Sequence, residues 1–349
     1  MIFDNVLETI GRTPVVRLRC LDRSYGSEIL IKLESFNPAG SIKDRPALQM
    51  ITAAERDGRL RPGGTIVESS SGNMGKALAL IGAVSGYRVI IVVDPKAPES
   101  MLKFVAALGA EVEVVRQPDE NGGYQRPRRE RVEQLVASIP GAFWPNQMHN
   151  PDNPRAHAEN TARELLDDVP QFDVLMATAS TGGHISGLAR TVKEKLPEVT
   201  TVAVDAVGSA AFGHRFHGYV MRGLGLAWRP GNLEMSLVDR VHLVDDSEGI
   251  ATSRLLARTE GLMVGESAGA AIFAALHHAQ HHPGSRIVVV AADGAVNYLG
   301  ESFDDGWLQA KGLAGRIAAA GLGDLDGLLA AARDPSHPSV AVADLLALT

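Results

Sequence analysis

Residues Thr65–Asp94 read TIVESSSGNMGKALALIGAVSGYRVIIVVD, and the fold can be read outward from them. Thr65–Glu68 is a short β-branched apolar run, Asn73–Ser85 has helical length and composition, and Arg88–Val93 is a second apolar run. Runs that are apolar throughout, without alternation, are what strands buried on both faces look like. The same alternation continues in both directions. Further strands are predicted at Glu28–Leu33, Glu111–Val115, Val174–Ala177, Thr200–Val204, Arg240–Val244 and Arg286–Ala291. Helices are predicted at Ala47–Asp57, Pro98–Leu108, Arg128–Ser138, Asn153–Asp167, Ile185–Lys195, Ser247–Glu260 and Ala268–His278. Strand–helix alternation of this kind gives an α/β fold, with parallel sheets and helices on both faces. In such sheets ligands bind at the carboxyl ends of the strands, where loops meet helix N-termini.

At 349 residues the chain exceeds one average domain, so two packed lobes are expected. The Pro- and Asn-rich stretch Trp144–Pro154 interrupts the alternation and is the candidate lobe boundary. After Trp307 the composition shifts to Ala, Gly and Leu, as for a tail of short helices without chemistry of its own. A net charge of −7 gives no reason to expect nucleic acid or an anionic membrane as partner, so any anionic ligand needs a local site. The single cysteine, Cys20, excludes an intrachain disulfide and fits a reducing compartment. No signal peptide is read at the N-terminus, and the apolar stretch Ala77–Val93 is broken by Gly82, Ser85, Gly86 and Arg88. The expectation is a soluble, cytoplasmic protein.

Four stretches carry chemistry. In NPAGSIKDRPA (Asn37–Ala47), Lys43 sits at the head of a helix, where helix-end potential disfavours an ammonium and frees an amine nucleophile. Read alone, it is equally an ordinary solvated lysine. In ESSSGNMGKALA (Glu68–Ala79), hydroxyls and main-chain N–H groups gather at a helix start, as an anion cradle or simply a well-capped helix. In ASTGGHISGLA (Ala179–Ala189), a Gly-rich turn between strand and helix suits a phosphate, although it matches neither the P-loop nor GxGxxG. GESAG (Gly265–Gly269) matches the nucleophile elbow of hydrolases, with Asp293 and His337 following in the right order, but no oxyanion segment precedes it. His277, His278, His281 and His282 form i,i+4 pairs without a completing ligand, so no metal site is expected. In GGYQRPRRERV (Gly122–Val132), four arginines offer either an anion site or a solvated helix face.

Taken in order, an activatable lysine, an anion cradle, a phosphate turn and a late serine describe a cofactor site. At these residues the chain resembles the cysteine synthase family, the fold type II pyridoxal-phosphate (PLP) enzymes related to tryptophan synthase β. The resemblance runs from Leu7 to about Trp307, through LETIGRTP, NPAGSIKDR, the SGN loop, the TGG turn and the late GxSxG. It implies a two-lobed fold, with residues 1–45 and 152–310 as the larger cofactor-binding lobe, 46–151 as the smaller lobe, and 311–349 as the tail. Val93-Asp94-Pro95, Gly122-Gly123-Tyr124, Gly141–Gln147, Val204–Ser209 and Phe212-Gly213 resemble one branch, the N-(2-amino-2-carboxyethyl)-L-glutamate synthases. That branch joins O-phospho-L-serine and L-glutamate, releasing phosphate, on the way to 2,3-diaminopropionate in siderophore or related metabolism.

The resemblance implies that Lys43 forms the Schiff base and that Asn73 contacts the ring hydroxyl. It gives Ser180, Thr181, Gly182, Gly183 and His184 to the cofactor phosphate, and Ser267 to the pyridine nitrogen. Ser70, Ser71, Gly72 and Gln147 then hold the substrate carboxylate, and Arg128 matches an arginine of the branch. The implied reaction is β-replacement through a cofactor-bound aminoacrylate, with a cysteine synthase as the alternative and a homodimer as the assembly. Three positions and one four-residue stretch depart from cysteine synthases. Met74 stands for threonine, His184 for threonine, and Met148 for an aromatic residue; Ala291-Ala292-Asp293-Gly294 replaces a stretch with proline and serine.

Overall fold

The computed structural model describes residues 2–19, 26–120, 122–336 and 339–347. Cys20 and His337 lie outside the described residues. Those residues form ten strands: β1 (Val15–Arg17), β2 (Glu28–Leu33), β3 (Thr65–Ser69), β4 (Arg88–Val93), β5 (Glu111–Val114), β6 (Val174–Thr178), β7 (Thr200–Ala206), β8 (Arg240–Val244), β9 (Arg286–Ala291) and β10 (Val340–Ala341). The chain divides into two compact units, Met1–Arg12 with Asn37–Ala156, and Thr13–Phe36 with His157–Thr349. The expected divisions lay at 45/46 and 151/152. Contacts instead put Asn37 onward in the first unit, because helix Asp44–Arg56 packs on helices Asn73–Ser85 and Asp152–Ala156 there.

In the first unit β3, β4 and β5 form a parallel sheet in that order, with Thr65 opposite Arg88 and Ile90 opposite Glu111. Ile66, Val67, Ile91, Val92 and Val93 are fully buried, which accounts for strands without polar alternation.

In the second unit the order is β1-β2-β9-β6-β7-β8-β10. The five central strands run parallel, while β1 and β10 pair antiparallel at the two edges. All eight predicted strands are present; the edge strands were not predicted, being too short to show a period. The predicted helix Asn153–Asp167 is split by a π-helical turn at His157–Thr161. The tail is part of this unit's fabric. Leu313, Leu322, Leu328 and Ala332 join its core cluster, and β10 covers the edge of β8. No helix among the described residues is long and apolar enough to cross a membrane.

Helices Asp246–Thr259 and Glu266–His281 lie backbone to backbone at Gly269, where a Cβ would collide with Ser253 Oγ and the carbonyl oxygen of Gly249. Overpacking such a contact costs about 1–3 kcal/mol. Gly269→Ala should therefore lower the urea midpoint by a corresponding amount with an unchanged slope.

Candidate active site

The first unit gathers one group of the expected site residues. Lys43 is half-buried at the N-cap of helix Asp44–Arg56, with its main-chain N–H donating to Ser41 Oγ at 3.1 Å. Asp44 anchors the turn before it, its Oδ2 accepting from the Ala39 N–H at 2.6 Å. Beyond β3, the Ser70 hydroxyl accepts from the N–H groups of Gly72 (3.3 Å) and Gly75 (3.1 Å), which folds the loop onto the start of helix Asn73–Ser85. Met74 turns away from the loop and is buried in the unit's core, so the apolar residue here serves packing.

Beneath that loop lies a residue the sequence reading missed. Glu68 ends the apolar run of β3 and is 2% exposed. Its Oε1 accepts from the Ser69 N–H (2.8 Å) and Trp144 Nε1 (3.0 Å), and its Oε2 from the Gln147 N–H (3.3 Å). Asn153 Nδ2 donates to the Gln147 carbonyl at 2.7 Å. Glu68 thus ties Gln147 to the root of the serine loop. Burial pushes its carboxyl up to about 7, against those three donors. A charged residue inside a buried strand was the available signal.

The four arginines separate cleanly. Arg126 and Arg129 are exposed and face Glu130 and Glu133, while Arg131 pairs with Glu113 at 2.8 Å. Arg128 is 7% exposed and turns inward. Its Nη1 donates to Ser71 Oγ at 2.6 Å and to Asp94 Oδ2 at 2.9 Å, and its Nη2 donates to Gln125 Oε1 at 3.1 Å. Its Nε is buried without a hydrogen-bond partner among the described residues. Burial lowers the guanidinium pKa, opposed by Asp94 and Glu68.

The second unit holds the rest. β6 runs into the turn Ala179–Gly182, and helix Gly183–Lys195 follows with its N-terminal N–H groups facing the turn. Gly182 has φ +81°, and a Cβ there would collide with the backbone of Leu233, so only glycine fits. Thr181 Oγ1 lies 3.4 Å from the Gly183 N–H. His184 is buried, its ring edge-on to His157 at 6.1 Å.

GESAG is not a nucleophile elbow. Ser267 is the second residue of helix Glu266–His281, not the apex of a strained turn. Its glycines are there for close packing, Gly265 against Asp293 and Gly269 against the neighbouring helix. The Ser267 hydroxyl is buried and has no hydrogen-bond partner among the described residues, so it has no base to activate it.

Comparison with known proteins decides the chemistry. The family model for pyridoxal-phosphate dependent enzymes matches residues 6–293. The chain belongs to this family. This PLP enzyme is 39% identical over 315 residues to the N-(2-amino-2-carboxyethyl)-L-glutamate synthase of Cupriavidus metallidurans, covering 88% of this chain and 92% of that protein. The Ralstonia nicotianae enzyme of the same name is 38% identical over 340 residues, covering 97% and 98%. The cystathionine beta-synthase of Dictyostelium discoideum is 38% identical over 321 residues, covering 89% of this chain but 64% of that protein. Among solved structures, O-ureido-L-serine synthase matches with a TM-score of 0.80 at 34% identity, over 88% of this chain and 100% of the other. The fold is therefore fold type II, and the PLP enzyme is of the β-substituting type.

The residues present fit the cofactor. The Gly182 turn opens main-chain N–H groups at a helix start, as a phosphate requires. Ser267 offers a buried, uncommitted hydroxyl, suited to a ring nitrogen.

Three buried carboxyls, Glu68, Asp205 and Glu266, are each pushed up to about 7 by burial. The folded state then holds protons that the unfolded state has lost, so stability falls as pH rises from about 4.5 to 7. Urea titrations across that range should show the fall. In Glu68→Gln it should be shallower, so the variant's deficit against wild type is smaller at pH 8 than at pH 5.

Proposed function

We propose that this PLP enzyme performs β-replacement on O-phospho-L-serine with L-glutamate as nucleophile, giving N-(2-amino-2-carboxyethyl)-L-glutamate for 2,3-diaminopropionate. The observation that carries the reading is Arg128, the one arginine of its segment turned inward, against the Ser71 hydroxyl. Near-complete coverage by the Ralstonia nicotianae synthase supports it. A dianionic leaving group and a dicarboxylate nucleophile both need local positive charge that a net-acidic chain must supply at particular residues.

When bound, the cofactor withdraws electrons from the substrate α-carbon, so that the β-substituent can leave. In this reading the Lys43 amine carries the cofactor and, once displaced by the substrate amine, takes the α-proton. Asn73 meets the ring hydroxyl, Ser180 to His184 hold the phosphate, and Ser267 meets the ring nitrogen. Ser70, Ser71, Gly72 and Gln147 receive the substrate carboxylate. Glu68 fixes two parts of that site, the serine loop and Gln147. Arg128 holds Ser71 in place and offers Nε toward an anion. The enzyme acts in the cytoplasm as a homodimer. A thiol nucleophile is the second reading, favoured by the match to cystathionine beta-synthase.

Purified protein should release about one phosphate per site from O-phosphoserine alone and turn over continuously only with an acceptor, fastest with glutamate. Faster turnover of O-acetylserine with sulfide would overturn the assignment. Lys43→Ala should keep the fold while losing turnover and the covalent, borohydride-trapped cofactor. Arg128→Ala should cut kcat/KM for O-phosphoserine or glutamate at least about tenfold, the loss expected for a charge-assisted hydrogen bond, with cofactor affinity nearly unchanged.

A further inference from the structure

The carboxyl edge of the first unit's sheet carries two opposite charges side by side. Asp94 directly follows β4, the middle strand, and its side chain is 12% exposed. Its Oδ1 accepts from the Lys96 N–H at 2.9 Å and its carbonyl oxygen from the Ala97 N–H at 3.1 Å, so the turn itself holds the carboxylate. The other oxygen, Oδ2, lies 2.9 Å from Arg128 Nη1. That nitrogen also donates to Ser71 Oγ, so both of its N–H groups are engaged. Lys96 gives Asp94 its main-chain N–H, while its ammonium lies over the Tyr124 ring at 5.6 Å.

A carboxylate of the chain thus already sits on the cation proposed to receive an anion. The pair has two consequences of opposite sign. It makes a buried guanidinium tolerable, and it cancels positive charge that a phosphate would otherwise meet. Gln125, which holds Nη2, is neutral and cancels nothing. A phosphate that approaches Nε, or that pushes Asp94 off Nη1, works against the Asp94 charge in either case. For a reaction that releases phosphate this matters at the end of the cycle. An anion on an uncompensated guanidinium leaves slowly and blocks the next substrate.

We propose that Asp94 is a built-in competitor for Arg128: its carboxylate weakens the hold on product phosphate and reclaims the guanidinium as the phosphate leaves. This rests on the reading that Arg128 meets the phosphate leaving group. Asp94 acts through Arg128, as a positioning residue that sets how tightly the anion is held.

The test measures the affinity of the holoenzyme for inorganic phosphate by titration calorimetry, with the cofactor already in its site. Asp94→Asn keeps an acceptor for the Lys96 N–H and removes the charge; Asp94→Ser does the same with a smaller group, should the amide fail to fold. Either variant should bind phosphate at least about fivefold more tightly than wild type, and phosphate should inhibit its turnover correspondingly more strongly. Arg128→Ala should weaken phosphate binding. Unchanged or weaker binding in the Asp94 variants, together with weaker binding in Arg128→Ala, overturns the proposal and leaves the Arg128 reading standing; Asp94 then only holds the guanidinium in place. Phosphate affinity insensitive to Arg128→Ala, or undetectable in every form of the protein, overturns that reading and the proposal with it.

Discussion

Parallel strands all leave their sheet at the same edge, and each then enters a helix whose free N–H groups face that edge. The concentration of positive potential that follows organises both units of this protein. Acids accumulate there: Glu68 in β3, Asp94 after β4, Asp205 in β7, Asp245 after β8 and Asp293 after β9. Asp245 caps the following helix in a reciprocal box with Glu248. Glu68, Asp205 and Asp293 are buried, and each accepts hydrogen bonds from groups of its own turn or a neighbouring one. Those donors only partly offset the burial, which pushes Glu68 and Asp205 up to about 7.

The same edge explains why the fold was legible. Buried parallel strands are written as unbroken β-branched runs, and all eight such runs were read, several to the residue. β1 and β10 escaped because two or three residues of edge strand carry no periodicity. The π-helical turn at His157–Thr161 escaped because a one-residue widening leaves the helical pattern of Asn153–Asp167 unchanged. The contact division joins Met1–Arg12 and residues 37–45 to the first unit, a tertiary arrangement that no local signal in those stretches announces.

Legibility of the site followed chemistry rather than position. The loops carry hydroxyls and glycines at a helix start, a signal that an anion cradle shares with a well-capped helix. The supporting residues were not legible in this way. Glu68 acts through what it holds, and Trp144 supplies it a donor from 76 residues along the chain. GESAG shows the converse hazard. Its glycines satisfy a hydrolase pattern, yet each is required by a close approach, one to Asp293 and one to a neighbouring helix.

The arginine segment shows how burial separates residues that a sequence leaves equal. Four arginines within one turn of loop and one of helix offered an anion site and a solvated face at once, and the structure contains both. The outward three meet glutamates at the surface, where such pairs are worth at most about 1 kcal/mol. Arg128 is different in kind, since taking a guanidinium out of water is tolerable only with acceptors in place. Asp94, Ser71 and Gln125 provide them. That commitment limits what Arg128 can do for a ligand: Nη1 is shared between a carboxylate and a loop hydroxyl, and Nη2 is held by Gln125. A substrate anion must then either approach Nε or displace Asp94. The second exchange is shared directly with the Ser71 hydroxyl through Nη1, which would couple anion binding to the loop proposed to receive the substrate carboxylate.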